Sequence, residues 1–333
     1  MVNKPIISTT FQEKHSKSSL NAIGILAKKA KEIELRKYVE AGVPENIMAL
    51  VNEMKTKKED SHSNSSPGPV QQALTKRKGT IAVVAEYKRR LESAGFVHEI
   101  LDPDIMGSTF REFGASAVSV MADERMGGAT YQDLTNLAEE QQTAKGDMPG
   151  PLPIICSDLI VDELQLAMSK AAGAQAVLLT YAVVKDKCAS LISMASAIGL
   201  ETIVGVATPE ESQAAVDAGA KVLLTNAFDV DDKVAMVENL NIPEGTTVCK
   251  IANIVPRENK QMEEIEEAWL LRDKGFNAVW ASDFLYKSGS EATEHAGAII
   301  RSMCAKSSVK WASAKASSGR GEGAREYLGD LLM

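Results

Sequence analysis

Residues 81–88 read IAVVAEYK and residues 277–286 read NAVWASDFLY, and these two runs bound the segment that decides the fold. Six further apolar runs lie between them, at residues 115–121, 152–161, 175–184, 201–207, 221–230 and 246–255. Uninterrupted runs rich in β-branched residues are typical of strands buried on both faces of a parallel sheet. Because an amphipathic stretch follows each run, the pattern predicts a (β/α)8 barrel. The rival, a doubly wound open sheet, would carry a glycine-rich turn after its first strand, and AEYKRRLES has none.

Several of the amphipathic stretches end in a glycine just before the next apolar run. Glycine can take the left-handed conformation that closes a helix at low steric cost, so these positions predict helix ends. They are Gly114, Gly173, Gly199, Gly219 and Gly275.

The barrel is predicted to span residues 80–306 and to be flanked on both sides. Residues 1–79 are expected to form an N-terminal helical extension and linker, and residues 307–333 a flexible C-terminal tail. Residues 1–18 lack periodicity, and the polar composition of KKEDSHSNSSPGP, which ends at Pro69, indicates a linker.

Two helices are predicted within the extension. One carries a periodic stripe of Ile23, Leu26, Ala30, Ile33 and Lys37. The second begins near Pro44 and places Ile47, Leu50, Val51 and Met54 on one face.

The tail ends in AREYLGDLLM, a segment with an apolar helical face. Its members are Tyr327, Leu328, Leu331 and Leu332. This short helix could pack on its own barrel or dock on another protein, and both interpretations stay open.

Composition excludes several classes of protein. Residues 1–79 hold 14 Lys and Arg against 8 Asp and Glu, yet the whole chain has a net charge of −8, so the barrel is acidic and nucleic acid is not expected as a partner. No apolar run reaches the about 20 residues that span a bilayer, and no secretory leader is evident near Met1. The four cysteines and four histidines are scattered, so we expect buried thiols, no metal and no cofactor. An intracellular soluble protein is expected, in the cytoplasm or in the plastid stroma; the second compartment is implied by the family resemblance described next, with the acid-free opening MVNKPIISTTFQ interpreted as the remnant of a targeting segment.

Three segments carry a resemblance to a known family. Residues 85–95, AEYKRRLESAG, resemble the pattern A-E-x-K-R-x-S-P-S-x-G. Residues 119–134, SVMADERMGGATYQDL, resemble S-V-L-T-D-x-x-x-F-x-G-S-x-x-D-L, and residues 153–165, PIICSDLIVDELQ, resemble P-x-L-x-K-D-F-I-x-D-x-x-Q. All three patterns are those of indole-3-glycerol-phosphate synthase. The likeness covers about residues 80–303. It implies a barrel that closes the indole ring in tryptophan biosynthesis, with its site at the carboxyl ends of the strands.

Three catalytic positions of that family are substituted here. The resemblance implies a lysine, the general acid, at Ser157, and glutamates at Gly205 and Asn253. A serine hydroxyl has neither the positive charge nor the acidity of an ammonium group. Loss of one such group commonly costs on the order of 10²–10⁴ in rate, so the parent activity is not expected.

Other family positions are retained. The retained catalytic positions are Glu86, Lys88 and Asn226. The candidates for binding a small anion are Arg89, Ser93, Gly95 and Ser282. Glu86 and Lys88 are two residues apart on a strand and point into one face, so we interpret them as a structural ion pair, with a surviving ligand site as the alternative. Phe228 and Trp280 are expected to fill the core.

Three functions follow from these observations. The first is a catalytically silent barrel that acts as a binding, scaffold or assembly subunit, with a protein partner and no membrane span. The second is an active indole-3-glycerol-phosphate synthase in which other residues have taken over. The third is a barrel enzyme with changed chemistry around Glu86, Lys88, Asn226 and Asp283.

Overall fold

The computed structural model describes residues 22–57, 66–75, 79–91, 95–96, 102–256, 261–286 and 296–305. Eight parallel strands form a closed barrel, which confirms the predicted (β/α)8 architecture. The strands are β1 Ala82–Tyr87, β2 Ala117–Val120, β3 Ile154–Cys156, β4 Ala176–Thr180, β5 Glu201–Val206, β6 Val222–Thr225, β7 Cys249–Asn253 and β8 Ala278–Ala281. Each strand pairs with its neighbours in sequence, and β1 closes the barrel by pairing with both β2 and β8.

Helices surround the barrel and extend it at the N-terminus. They are α1 Ala22–Ala41, α2 Glu45–Lys57, α3 Pro69–Leu74, α4 Pro103–Glu112, α5 Tyr131–Thr143, α6 Glu163–Ala171, α7 Tyr181–Val184, α8 Cys188–Ala197, α9 Pro209–Asp217, α10 Val230–Glu238, α11 Gln261–Asp273 and α12 Ala296–Cys304. Short 3-10 helices span Lys185–Lys187 and Asp283–Tyr286, and a two-residue antiparallel ribbon pairs Arg90–Leu91 with Gly95–Phe96.

The strands are buried on both faces, and their side chains form two apolar layers, one inside the barrel and one beneath the surrounding helices. Inward-facing residues such as Val84, Ile203 and Ile251 fill the barrel. Outward-facing residues such as Val83 and Val204 pack against the surrounding helices. This alternation with a period of two explains why the strands read as continuous apolar runs.

Local signals define where the outer helices begin and end. Reciprocal capping boxes start α5, between Thr130 and Asp133, and α6, between Asp162 and Gln165. All five glycines predicted to close helices have positive φ, which confirms that prediction. Gly173 is doubly constrained, since an added Cβ would lie 2.8 Å from the Cβ of Ala138.

The three N-terminal helices take different places on the barrel. The predicted α1 and α2 are confirmed, and α2 buries Ile47, Val51 and Met54 as expected. The periodic stripe of α1 faces away from the barrel, with Ile23, Leu26 and Ile33 exposed. A charged side chain on the opposite face, Lys31, is buried in its place, because two carboxylates on the barrel pair with it.

The third helix, α3, was not predicted, and it occupies the amino end of the barrel. Val70 and Leu74 belong to the inner apolar layer. The carboxylate of Glu201, the first residue of β5, accepts hydrogen bonds from the backbone N–H groups of Val70 at 2.6 Å and Gln71 at 2.9 Å. Glu201 thus binds the free N–H groups at the start of α3 and holds the helix against the barrel.

Some predictions concern residues outside the described ranges. They concern residues 1–18, which were predicted to be flexible, most of the predicted linker, Ser93, and the tail with Tyr327, Leu328, Leu331 and Leu332. Within the described ranges, no helix is long and apolar enough to cross a membrane. No group of three or more His, Cys, Asp and Glu side chains in the same ranges is placed to hold a metal ion.

Candidate functional site

Six of the predicted site positions share the inward-facing side of the strands at the carboxyl end of the barrel. Along each strand, inward-facing side chains alternate with outward-facing ones. On six strands, the last inward-facing apolar residues are Val84, Ile155, Ile203, Leu224, Ile251 and Trp280. The residues two positions later in the chain are Glu86, Ser157, Gly205, Asn226, Asn253 and Ser282. Because the side-chain period of a strand is two, all six positions have the inward parity. The sequence interpretation that placed them at one site is consistent with this geometry.

A buried polar cluster joins β1 to β8. The ammonium group of Lys88 contacts the Asp283 carboxylate directly and lies 3.9 Å from Oε2 of Glu86. The Ser282 hydroxyl donates to the same Glu86 oxygen at 2.5 Å. The 3-10 helix Asp283–Tyr286 positions Asp283, and the Tyr286 hydroxyl donates to the backbone carbonyl of Glu86 at 2.7 Å. Glu86, Lys88 and Asp283 are all buried, so these charged groups interact mainly with one another and little with solvent.

Burial decides the protonation behaviour of Glu86. Desolvation raises the pKa of the Glu86 carboxyl above its ordinary value, and the nearby carboxylate of Asp283 acts in the same direction. Lys88 and the hydrogen bonds from Ser282 and Trp280 oppose this shift without cancelling it. A carboxyl group with a raised pKa inside a barrel mouth is a feature of many acid/base sites, and also of structural ion-pair networks.

A second buried ionic cluster joins α1 to the ends of β2 and β3. The Lys31 ammonium lies 2.8 Å from Oδ2 of Asp123 and 2.8 Å from Oδ1 of Asp158. Asp158 also accepts hydrogen bonds from the Tyr131 hydroxyl at 2.9 Å and the Gln165 side-chain amide at 2.8 Å. The cluster lies beside Ser157, whose backbone N–H donates to Val120 at 2.8 Å.

The two carboxylates determine the charge state of Lys31. Burial by itself would lower the pKa of Lys31, but Asp158 and Asp123 raise it above its ordinary value. Burial likewise opposes ionisation of Asp123, yet Lys31 holds the pKa of Asp123 below its ordinary value. Sequence reasoning missed this cluster, although Asp123 and Asp158 lay inside the matched motifs and could have prompted a search for a cation.

Gly205 has space around its Cα for a side chain, whereas Asn253 is fixed by hydrogen bonds. A Cβ atom added at Gly205 would meet Leu178 and the carbonyl of Leu179 at 3.7 Å, which is ordinary contact, so the backbone does not require glycine there. The Asn253 side-chain oxygen accepts from the backbone N–H of Ala227 at 3.3 Å. Its own backbone carbonyl accepts from the Lys233 ammonium at 2.6 Å. Asn253 therefore stabilises the loop after β6.

Two of the proposed anion ligands have side chains that the structure describes, Arg89 and Ser282, and each is hydrogen-bonded to a carboxylate. Arg89 donates to Asp133 at 2.9 Å, near the start of α5, and its guanidinium lies 5.7 Å from the Tyr87 ring centroid. Ser282 donates to Glu86, and the backbone of Gly95 lies in the short ribbon. Because Ser93 lies outside the described residues, the proposed anion site as a whole stays a prediction.

The expectations for the two large aromatic residues had opposite outcomes. Trp280 is buried inside the barrel, as predicted. The prediction that Phe228 fills the core is wrong, because its side chain is 56% exposed. Phe228 follows the last residue of β6 by three positions, so it lies in a loop at the barrel mouth and is beyond the inward-facing layer.

Comparison with known proteins identifies the family. The family model for indole-3-glycerol phosphate synthase matches residues 25–266. The chain belongs to the indole-3-glycerol phosphate synthase family. Curated members of that name include proteins from Leptospira interrogans (32% identity, 46% of this chain and 57% of that protein), Roseiflexus sp. strain RS-1 (31%, 62% and 75%) and Chlorobium phaeovibrioides (30%, 65% and 80%). The match to the Leptospira protein thus spans little more than half of its length.

The region matched by the family model contains the three positions where this chain departs from the residues that the resemblance implies. The matched region contains α2, α3 and β1 to β7, together with most of α1 and part of α11, and it ends before β8. The positions where the resemblance implies a lysine and two glutamates, Ser157, Gly205 and Asn253, all belong to the inward layer at the carboxyl end. The retained Glu86 and Lys88 are in the same place, whereas Asn226 is exposed at the mouth.

Proposed function

We propose that this chain is a catalytically silent member of its family, acting as a binding, scaffold or assembly subunit. The observation that carries the proposal is the contact between Lys88 and Asp283. Lys88 stands at a retained family catalytic position, but its ammonium is already neutralised by a buried carboxylate of the same chain. An anionic substrate group would have to displace that carboxylate and leave it buried without its partner, which is energetically costly.

The substituted positions support the same proposal. Ser157 offers no ammonium to protonate a substrate oxygen, and Gly205 offers no side chain. Asn253 carries an amide, and its oxygen is already bonded to the Ala227 N–H. The buried cation near Ser157, Lys31, is itself held between two carboxylates and is not available as an acid.

The direct test is an assay of the purified full-length chain with the family substrate, carboxyphenylamino-deoxyribulose phosphate, following the fluorescence of indole-glycerol phosphate. The Roseiflexus relative, prepared in parallel, shows that the assay is competent. We expect no turnover above the enzyme-free background, and no rescue of a tryptophan auxotroph that lacks this enzyme. Turnover by the wild-type chain would contradict the proposal.

A restored variant shows how much of the chemistry the barrel could still support. It combines Ser157→Lys, Gly205→Glu and Asn253→Glu with Asp283→Ser, which releases Lys88. A Cβ fits at Gly205 in ordinary van der Waals contact, so the immediate backbone surroundings do not oppose a side chain there. A variant with Asp283→Ser alone is the matched control, because it frees Lys88 without supplying the acid or the glutamates.

A barrel enzyme with changed chemistry is the second candidate, and one observation favours it. The Glu86 carboxyl has a raised pKa and a hydrogen bond from Ser282 at the barrel mouth, which suits a general acid or base. This candidate predicts a small molecule that remains bound to the native protein. Native mass spectrometry of wild type and Glu86→Gln tests it, since a ligand lost only from the variant would favour this function.

A further inference from the structure

A groove runs between α1 and the segment that follows β4, at the carboxyl end of the barrel. It encloses about 580 Å³. Ile25, Lys28 and Lys29 line it from α1, and residues 182–187 form the opposite wall. We call this cavity the α1 groove. Its volume is within the range of roughly 300–1,000 Å³ that is usual for small-molecule sites.

Positive charge is concentrated in the α1 groove. Its four lysines are Lys28, Lys29, Lys185 and Lys187, and its two acidic residues are Glu32 and Asp186. The lining therefore has two excess positive charges, in a chain whose net charge is −8. Like charges repel one another across such a space, so their convergence favours an anionic occupant.

Both walls of the α1 groove are held before any ligand arrives. The Lys28 ammonium donates to the backbone carbonyl of Val183 at 2.9 Å, which ties α1 to the opposite wall. Beneath this bond, Leu35 of α1 packs against Val161 and Val183. A preformed site loses less conformational freedom on binding. The Lys28 ammonium carries three N–H donors, and the bond to Val183 uses one of them.

One wall has an unusual backbone conformation at a lysine. Lys185 has a φ of 34°, and it is the one non-glycine residue with positive φ in the described part of the chain. Glycine would adopt this conformation at lower cost, so the backbone at Lys185 is strained. Strain of this kind is concentrated at functional sites.

We propose that the α1 groove binds a small organic dianion, a phosphate monoester with an apolar substituent. The phosphate would accept hydrogen bonds from Lys29, Lys185 and Lys187, and its two negative charges match the local excess. The apolar substituent would cover Ile25, which is 46% exposed. The groove follows β4, which lies opposite β8 in the closed barrel, so it is separate from the cluster of Glu86, Lys88 and Asp283 between β1 and β8.

The test is calorimetric titration of the full-length chain with phenyl phosphate, with inorganic phosphate as the probe that lacks an apolar part. We expect saturable binding of phenyl phosphate and weaker binding of inorganic phosphate. The double variant Lys185→Gln/Lys187→Gln should bind phenyl phosphate about tenfold more weakly, because two charge-assisted hydrogen bonds are lost. The matched control Lys145→Gln/Lys274→Gln removes the same charge at exposed positions outside the groove.

A second variant guards against misfolding as the cause of lost binding. Lys185→Gly removes one groove charge while relaxing the backbone, so it should raise the Tm by about 1–2 °C and still weaken binding of phenyl phosphate. The proposal is overturned if wild type shows no saturable binding. It is also overturned if the control variant loses as much affinity as the groove variants, since binding would then reflect net charge alone.

Discussion

The ammonium group of Lys31, on the N-terminal helix α1, lies 2.8 Å from the carboxylate of Asp158, the residue that follows Ser157 at the end of β3. The same ammonium lies 2.8 Å from Asp123, after β2. A helix outside the predicted barrel thus supplies the counter-charge for two buried carboxylates at the barrel mouth. The extension is therefore bound to the barrel by charges that are costly to separate.

Replacing Lys31 with methionine should destabilise the fold. The change removes the ammonium that lies 2.8 Å from both carboxylates and leaves Arg125, 3.7 Å from Asp123, as the remaining cation, so the free energy of unfolding in urea should fall by about 3–5 kcal/mol at pH 7. The control Lys37→Met removes an exposed lysine from the same helix and should cost less than about 0.5 kcal/mol. Adding Asp123→Asn to Lys31→Met should restore part of the loss.

The pH dependence of the Lys31 variant provides a further check. In wild type, Lys31 lowers the pKa of Asp123 below its ordinary value of 3.8, so this stabilisation is fully present above that value and is lost as the pH falls through the lowered pKa. In Lys31→Met the buried Asp123 carboxyl loses this stabilisation of its charged form and takes up a proton more readily. The difference in the free energy of unfolding between wild type and Lys31→Met should therefore become smaller as the pH is lowered from 7 to 4. A constant difference would show that packing, rather than charge, accounts for the loss.

Sequence reasoning predicted the strands because their signal is local, and missed α3 and the Lys31 cluster because theirs is not. PVQQAL, the sequence of α3, is only six residues long, and its Pro69 is the last residue of a Pro-Gly-Pro stretch typical of a linker. Lys31 lies in a helix with an apolar stripe on its other face, so nothing nearby indicates burial. Its partners come from two separate strand ends, and only the closed barrel brings them together. Phe228 was predicted to be buried because it is apolar, but it lies in a loop and is exposed. Apolar character alone was therefore not enough to predict burial there.

Truncating Leu74 tests whether α3 belongs to the barrel core. Leu74 is fully buried in the inner apolar layer, so Leu74→Ala should reduce the free energy of unfolding by about 2–5 kcal/mol. Leu270→Ala is the matched control, because Leu270 is 45% exposed and the same atoms are removed. Similar losses in both variants would contradict the role of α3 as a structural part of the barrel.

Deleting residues 307–333 tests the proposed docking role of the C-terminal segment. The deletion should leave the unfolding transition of the barrel unchanged while abolishing co-purification with a specific partner from native extracts. Tyr327→Ala/Leu331→Ala should have the same effect, since it removes two members of the predicted apolar face. Ser317→Ala/Ser318→Ala, in the polar tether, is the control and should retain the partner. The docking role is wrong if the truncated chain keeps every partner of the full chain.

The cluster of Glu86, Lys88 and Asp283 predicts an order of stabilities. Lys88→Met leaves two buried carboxylates facing each other and should cost about 3–5 kcal/mol. Adding Glu86→Gln should recover some of this loss. Adding Asp283→Asn should recover more, because Asp283 is the direct partner of Lys88 whereas Glu86 Oε2 lies 3.9 Å away.

Lowering the pH should reduce the differences in stability among wild type, Lys88→Met and its double variants, because the Glu86 carboxyl becomes protonated. Burial raises its pKa above the ordinary value of 4.5, so its contribution to stability is fully present below that value and is lost as the pH rises through the raised pKa. Without Lys88 the carboxyl groups gain still more from protonation. Melting temperatures of Lys88→Met, its two double variants and wild type should therefore converge between pH 7 and pH 5. Equal melting temperatures for all four proteins at pH 7 would rule out a structural ion pair at this site.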